Sequence, residues 1–240
     1  MPHTLILISD AITPALQEIT QAAITSARQT TVGKDWNILV MERAVGAATY
    51  TDANTCHVPS IPFNYNGLVN HAIRQTTSER LIIANNDVVF QDGAIPALLL
   101  ARQLVASPVG TSNSINPRQH NLTTLEFGWM VGRHFAGWCF AIQRAVWAYL
   151  GGFNETYPFW CADNAVVEQL KTIGVMPAVL PEARVVHLGS QTLRHLPANQ
   201  IEEYTVHAAQ HFDRTVGPRL SDPPRTRCIS RQRIQQRKWY

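Results

Sequence analysis

The chain has few charged residues and no hydrophobic run long enough to cross a bilayer. Only 15% of its 240 residues are Asp, Glu, Lys or Arg, and 45% are hydrophobic. This composition is typical of a globular protein that buries a sizeable core. A membrane-spanning helix needs roughly 20 apolar residues, and no run approaches that length. The start, MPHTLILISDAIT, lacks the basic flank and small-residue cleavage site of a signal peptide.

Cysteine pairs with metal-ligand spacing are also absent. The four cysteines are scattered, at Cys56, Cys139, Cys161 and Cys228. This pattern favours free thiols in a reducing compartment over a disulfide framework or a zinc site. We therefore expect a cytoplasmic protein.

The segment after the first predicted strand, SDAITPALQ (Ser9–Gln17), contains no glycine. Nucleotidyltransferases usually carry a glycine-rich phosphate loop at that place, so its absence argues against that class.

Charge is unevenly distributed along the chain. Residues 223–240 contain 6 of the 20 basic residues and no acid, which leaves 14 basic against 17 acidic residues elsewhere, a balance of about −3. We expect a mildly acidic domain, residues 1–216, followed by a basic tail, residues 217–240. The arginine-rich part, residues 225–238, is either a solvated end, a contact for nucleic-acid phosphates, or a contact for an anionic membrane surface.

Apolar spacing alternates between strand-like and helix-like periods, which predicts an α/β fold with a mostly parallel sheet. Strands are predicted at Thr4–Ser9, Trp36–Met41, Leu81–Phe90, Phe140–Ile142, Val175–Leu180 and Arg184–His187. Helices are predicted at Pro14–Thr30, Asn66–Thr76, Ala94–Val105, Arg144–Leu150, Asn164–Ile173 and Glu202–Phe212, with an irregular segment at Ala106–Ala136.

The most informative strand, LIIANNDVV, reaches the cluster Asn85, Asn86 and Asp87. Carboxylate and amide oxygens are ligands that hard divalent cations prefer, and α/β proteins bind ligands at the carboxyl edge of the sheet. The cluster thus indicates a metal and a phosphate, although an ordinary turn explains the same residues.

Four further segments surround this strand in a particular order: NYNGLVNHAI (64–73), GWCFAIQRAVWAYLGGFNE (137–155), YPFWCADNAVVEQLKTIG (157–174) and VVHLGSQ (185–191). Their order and spacing resemble the nucleotide-sugar glycosyltransferases of the GT-A fold, especially the inverting group called family two. The resemblance covers roughly residues 4–190. It implies a Rossmann-type central sheet flanked by helices in one compact domain, with a nucleotide-sugar-binding half (1–105) and an acceptor-binding half (106–216).

The resemblance also implies roles for single residues. Asn85 and Asp87 match the two acids of the family's D-x-D element, which holds Mn²⁺ or Mg²⁺ and the ribose. Asn85 keeps an oxygen but loses a charge, so the metal depends on Asp87. His187 matches the late histidine that completes the metal site, and a strand-end histidine bonded to backbone is the alternative. Asp163 matches the general base, a role compatible with capping the following helix.

Other residues are expected to contact the substrates. Donor contacts are predicted for Ser9, Asp10, Glu42, Asn66, Asn70, Asn85, Asn86 and Asp87, and acceptor contacts for Trp138 and Trp160. Simpler explanations stay open: helix capping for Asn66, a solvated strand end for Glu42, and core packing for the tryptophans.

The implied function is a metal-dependent transfer of sugar from a nucleotide-diphosphate sugar to an acceptor hydroxyl, with inversion expected. The acceptor is either a glycan or lipid-linked sugar, or a hydroxymethylated base in DNA as in viral DNA modification. The alternative is a non-catalytic nucleotide-sugar or nucleic-acid binding module with a degenerate GT-A fold, which the loss of the acid at Asn85 favours.

Overall fold

The computed structural model describes residues 3–30, 36–46, 49–112, 115–119, 122–189, 191–195 and 197–217. The basic tail from residue 218 onward, with the arginine-rich part, its predicted nucleic-acid contact and Cys228, lies outside the described residues. Within the described ranges, no helix has the length and apolar character needed to cross a membrane.

The first half of the chain contains β1 (His3–Ser9), α1 (Pro14–Gln29), β2 (Trp36–Glu42), β3 (Asn54–His57), α2 (Tyr65–Arg74), β4 (Arg80–Asn85), β5 (Val88–Phe90), α3 (Ala94–Leu100) and β6 (Val105–Gly110). The second half contains β7 (Glu126–Phe127), β8 (Cys139–Gln143), α4 (Arg144–Tyr149), α5 (Ala162–Thr172), β9 (Ala178–His187), α6 (Ala198–Glu202) and α7 (Ala208–Thr215). Short 3₁₀ turns lie at Pro117–Gln119 and Leu193–His195, and a π-helical turn at Glu203–His207 joins α6 to α7.

The nine strands of the described residues form one sheet in the order β3-β2-β1-β4-β8-β6-β9-β5, with β7 paired to β9. The predicted α/β architecture, a central sheet flanked by helices, is confirmed. The sheet is mixed, with parallel pairing among β1, β2, β3 and β4 and antiparallel strands added beside them. Four of its pairs are parallel (β1–β2, β1–β4, β2–β3 and β6–β9), and four are antiparallel (β4–β8, β5–β9, β6–β8 and β7–β9).

Alternating side chains of the central strands build two apolar layers, one on each face of the sheet. In β1, Leu5 and Leu7 belong to the core that includes residues of α1 and α3. Ile6 and Ile8 point to the other face, where the core includes residues of α2, α4 and α5. Burial of each such side chain stabilises the fold by about 1.5–3 kcal/mol. The two layers fix the positions of the strand ends, where the polar side chains of the site lie.

Two of the differences between predicted and observed elements concern β4, β5 and β6. The strand Leu81–Phe90 is divided at Asn86 and Asp87 into β4 and β5, because β5 leaves β4 to pair antiparallel with β9. The helix Ala94–Val105 ends at Leu100. Residues 105–110 instead form the fully buried β6, since pairing with β8 and β9 outweighs the local helical spacing.

Candidate active site

A cavity of about 380 Å³ opens at the carboxyl ends of β1 and β4. Ligands of α/β proteins bind at this edge of the sheet. The cavity is lined by predicted site residues from both halves of the chain, namely Asp10, Asn85, Asn86, Asp87, Trp138, Trp160, Asp163 and His187. Four other predicted residues, Ser9, Glu42, Asn66 and Asn70, do not line it.

The junction between β4 and β5 places three neighbouring residues differently. The backbone N–H of Asn85 donates a hydrogen bond to the carbonyl of Trp138 at 2.8 Å. The amide of Asn86 is buried and donates to Ser9 Oγ at 3.2 Å and to Thr20 Oγ1 at 2.8 Å. These bonds commit the Asn86 amide nitrogen to the fold. Asp87, in contrast, lines the cavity, and the residue as a whole is 4% exposed.

Asp87 and His187 form the candidate metal pair. Antiparallel pairing of β5 with β9 sets Val88 opposite His187, and His187 Nε2 lies 3.4 Å from Asp87 Oδ1. Both atoms, and also His187 Nδ1, are buried and have no hydrogen-bond partner among the described residues. Two ligands that each lie about 2.1 Å from one ion are separated by about 3.0–3.4 Å at bond angles near 90–110°. The pair therefore fits a divalent cation.

The described residues contain no group of three or more His, Cys, Asp or Glu side chains placed to hold a metal. A cation bound to Asp87 and His187 alone would leave most of its coordination sphere open. Oxygen atoms of a substrate or of water would have to fill it.

Trp138 supports His187 from the cavity wall. The two rings are stacked, with centroids 4.8 Å apart and planes inclined by 11°. Such contacts between aromatic rings contribute about 0.5–1.5 kcal/mol beyond the burial of their area. Trp138 thus fixes the plane of the imidazole, and its predicted acceptor contact stays a prediction.

Asp163 lies in the first turn of α5 and lines the same cavity as the metal pair. Its Oδ1 accepts the backbone N–H of Asn164 at 2.8 Å. The residue at the N-cap is Cys161, in a left-handed conformation with φ of 67°. Asp163 is therefore not the N-cap residue of α5: Cys161 occupies that position without a side-chain capping bond, and Asp163 lines the cavity.

Tyr65, at the start of α2, is a cavity residue that sequence reasoning missed. Its hydroxyl donates to the carbonyl of Gly137 at 3.0 Å. Burial, followed by the charges of Cys139, Asp163 and Asp87, raises the pKa of Tyr65 well above its ordinary value. The phenol thus stays protonated, and its hydroxyl keeps donating the hydrogen bond to the carbonyl of Gly137.

Gly137 brings this loop close to Asp163. A Cβ atom at position 137 would lie 2.4 Å from the Cβ atom of Asp163, so only glycine permits this approach. The Gly137–Trp138 dipeptide therefore contacts Asp163 on one side and His187 on the other.

Asn66 and Asn70 are structural residues, which corrects the predicted donor contacts. The Asn66 amide donates to the carbonyls of Asn154 and Ala162 at 2.7 and 3.1 Å. Asn70 exchanges two bonds with the backbone of Phe153, both at 2.8 Å. Both side chains are almost fully buried. The N-cap of α2 is Asn64, whose Oδ1 accepts from Gly67, and not Asn66.

Glu42 and Ser9 lie behind the cavity wall, so their predicted donor contacts are also corrected. Glu42 has no exposed surface. Its carboxylate accepts from Ser9 Oγ at 2.7 Å, from Tyr50 Oη at 2.6 Å, and from the backbone of Ala11 and Ala44 at 3.1 and 2.9 Å. Desolvation by burial and the bond to Glu42 raise the pKa of Tyr50 to about 12. Glu42 therefore holds the ends of β1 and β2 together.

Trp160 and a missed residue, Arg118, also line the cavity. The Trp160 side chain is 44% exposed, which suits a stacking surface and not a core position. Arg118 lies in the 3₁₀ turn Pro117–Gln119, within the segment predicted to be irregular. An isolated arginine in such a segment belongs to no motif, so no pattern in the sequence pointed to it.

Several solved structures resemble this chain. It aligns with S. aureus TarS residues 1–349 at a TM-score of 0.61 and 10% identity, over 90% of this chain and 74% of that one. A Pyrobaculum calidifontis mannosyltransferase in complex with GDP-Man and Mn²⁺ aligns at a TM-score of 0.57 and 16% identity, over 90% and 70%. GalNAc-T7 with UDP, GalNAc and Mn²⁺ aligns at a TM-score of 0.60 and 10% identity, over 78% of this chain.

The chain has the GT-A fold. It spans 44% of the length of GalNAc-T7. No protein-family model and no curated protein matches the sequence. At these identities the likeness shows the GT-A fold and not an activity.

Proposed function

We propose that this protein is a metal-dependent glycosyltransferase that moves a sugar from a nucleotide-diphosphate sugar to an acceptor hydroxyl with inversion. The observation that carries the proposal is the pair Asp87 Oδ1 and His187 Nε2, which lie 3.4 Å apart, have no hydrogen-bond partner among the described residues, and belong to the cavity that Asp163 also lines. GT-A structures solved with Mn²⁺ and UDP or GDP-Man support the same assignment.

Asp87 and His187 would hold a Mn²⁺ or Mg²⁺ ion. When bound, the ion neutralises the charge that develops on the departing diphosphate. One carboxylate and one imidazole leave room for diphosphate oxygens, which explains why two protein ligands suffice.

Asp163 is proposed as the general base. The acceptor hydroxyl oxygen forms a bond to the anomeric carbon while the bond from that carbon to the diphosphate oxygen breaks. The hydroxyl proton goes to the Asp163 carboxylate, and the electron pair of the broken bond leaves with the nucleoside diphosphate. A positioned base contributes about 10²- to 10⁴-fold to such a step.

The first test separates binding from chemistry. The protein is assayed for release of nucleoside diphosphate from a set of nucleotide sugars, with and without Mn²⁺. Asp163→Asn is expected to lower turnover by about 10²-fold or more, while Mn²⁺ and nucleotide binding persist. Asp92→Asn, an exposed acid between β5 and α3, is the matched control. Unchanged turnover in Asp163→Asn would remove the base assignment.

The acceptor is tested with two substrate sets. Oligosaccharides and lipid-linked sugars represent the glycan class, and duplex DNA with hydroxymethylated bases represents the nucleic-acid class. The basic residues of the tail favour including DNA. Transfer of labelled sugar to one set and not to the other identifies the acceptor class.

The non-catalytic alternative rests on Asn85, which replaces a charged ligand. A protein that binds nucleotide sugars tightly but neither hydrolyses nor transfers them under any of these conditions would be a binding module.

A further inference from the structure

We propose that Arg118 binds an anionic group of the acceptor, a carboxylate or a phosphate, so that acidic sugars are glycosylated in preference to neutral ones. This inference rests on the proposed function and deepens it, since it names the chemical class of the acceptor. Arg118 takes no part in the metal site or in the proton transfer to Asp163.

Arg118 differs in charge from the acids that line the cavity. Three of the described residues that line it are acids, Asp10, Asp87 and Asp163, and Arg118 is the one lysine or arginine among them. Asp10 is ion-paired with Arg43. The cation proposed at the metal pair compensates the diphosphate charge of the donor. A positive charge at Arg118 therefore matches a negative group that the donor does not supply.

The turn that carries Arg118 is held against the central sheet. The neighbouring Gln119 is 1% exposed, and its side chain accepts the backbone N–H of Gly110 at 2.6 Å. The same side chain donates to the carbonyls of Pro108 and Arg133 at 3.1 and 3.0 Å. Arg133 Nη1 donates to the carbonyl of Arg118 itself at 2.6 Å. A backbone fixed in this way loses little freedom when its side chain binds a ligand, which is a property of a preorganised site.

Arg133 and Arg118 have different roles. Arg133 Nε and Nη2 donate to the two carboxylate oxygens of Glu126 in β7, at 3.0 and 2.9 Å. This bidentate pair commits Arg133 to the fold. Arg118 instead lines the cavity and lies against Gly132, where a Cβ atom would come within 3.2 Å of Arg118 Nη1. The glycine, which has φ of 75°, therefore leaves room for the Arg118 guanidinium.

One loop, residues 131–138, lies beside both Arg118 and Asp163. The backbone N–H of Gly132 donates to the carbonyl of Phe135 at 2.8 Å and closes the start of this loop. The loop meets Arg118 at Gly132 and Asp163 at Gly137. Because Asp163 is the proposed base for the acceptor hydroxyl, the acceptor lies beside the same loop as Arg118. An acidic acceptor can present its hydroxyl to Asp163 and its anionic group to Arg118.

The guanidinium group suits carboxylates and phosphates better than neutral hydroxyls. Its planar fork donates two parallel hydrogen bonds to two oxygens of one anionic group. Hydrogen bonds between charged partners are roughly twice as strong as those between neutral groups. We therefore expect acidic acceptors to be favoured by about 10-fold or more.

The test compares acceptors that share a sugar and differ in charge. Glucose, galactose and mannose are each assayed beside their uronic acid and their 6-phosphate, with Mn²⁺ and the labelled nucleotide sugar that releases nucleoside diphosphate fastest. At least one acidic form should give a kcat/KM about 10-fold or more above that of its neutral parent. The uronic acids and the phosphates distinguish the two kinds of anion.

Variants of Arg118 assign the preference to this side chain. Arg118→Gln should raise the KM of the acidic acceptor by about 10-fold and leave the affinity for UDP or GDP with Mn²⁺ unchanged. Arg118→Lys keeps the charge without the planar fork and should retain part of the preference. Arg102→Gln removes an exposed arginine that does not line the cavity and should alter nothing.

Four results would contradict these assignments. Equal kcat/KM for acidic and neutral acceptors would overturn the inference and leave the proposed function intact. A loss of UDP or GDP affinity in Arg118→Gln without acceptor would make Arg118 a donor contact and overturn it as well. Transfer to none of the acidic sugars, with or without transfer to hydroxymethylated duplex DNA, would do the same. Release of nucleoside diphosphate from no nucleotide sugar would overturn the proposed function itself.

Discussion

The side chain at position 85 sets the charge of the candidate metal site. Asp87 is the only carboxylate at the β4–β5 junction, because Asn85 and Asn86 are neutral. We predict that Asn85→Asp raises the affinity for Mn²⁺ by about 5- to 50-fold, since ligand charge sets the affinity for hard cations. Titration followed by electron paramagnetic resonance of free Mn²⁺ measures this. Asn54→Asp, an exposed change of equal charge, should have no effect.

A second prediction at the residue scale concerns Trp138. Trp138→Ala removes the ring stacked on His187 and frees the imidazole, so Mn²⁺ affinity should fall by about 2- to 10-fold. Trp138→Phe keeps a ring and should recover most of it. Trp160→Ala removes another tryptophan from the cavity wall and serves as the control. If both alanine variants bind Mn²⁺ like the wild type, the stack does not position the ligand.

The positions of single residues were predictable where strand ends and motif order fixed them, as for Asp87, His187 and Asp163, which line one cavity. Their roles stay predictions. Polar residues without such a constraint were misjudged. Asn70 lies on a helix face that suggested donor contact, but that face meets the turn after α4, and only the tertiary structure shows this.

At the scale of elements, Asn70 fastens α2 to the turn that follows α4. It accepts from Trp147 Nε1 and from the backbone of Phe153, and donates to Phe153 and Glu155. Asn70→Ala leaves several buried groups without partners and should lower the free energy of unfolding by about 2–4 kcal/mol. Urea unfolding measures the change. The exposed Asn54→Ala should stay within about 0.5 kcal/mol of the wild type.

Element boundaries were predictable where the apolar spacing and a capping residue indicated the same start. Helix α1 begins at Pro14, as predicted, with Thr13 as its cap. The division of β4 from β5 and the strand β6 were not predictable in this way. Both depend on pairing with β8 or β9, more than 30 residues away along the chain.

At the scale of the whole molecule, alternating periods correctly predicted a sheet flanked by helices. The alternating periods did not predict which strand pairs are antiparallel, because periodicity reports which residues are buried and not which way neighbouring strands run. The antiparallel β5–β9 pair has a functional consequence, since it brings His187 beside Asp87 from 100 residues away.

The role of residues 218–240 is a prediction for the entire chain. If the arginines contact DNA phosphates, deleting the tail should weaken binding to duplex DNA. The log–log slope of affinity against salt should then become shallower by about 0.9 for each phosphate that the arginines had neutralised. Fluorescence anisotropy at several salt concentrations measures both quantities. An identical slope with and without the tail would exclude phosphate binding by these residues.

The most direct test of the metal site is Mn²⁺ binding with and without UDP or GDP, measured for the wild type, Asp87→Asn and His187→Gln. The wild type should bind Mn²⁺ more tightly when the nucleotide is present, since two protein ligands leave coordination positions for diphosphate oxygens. Each variant should weaken this binding by about 10-fold or more. Unchanged Mn²⁺ affinity in both variants would contradict the assignment of Asp87 and His187 as the metal pair.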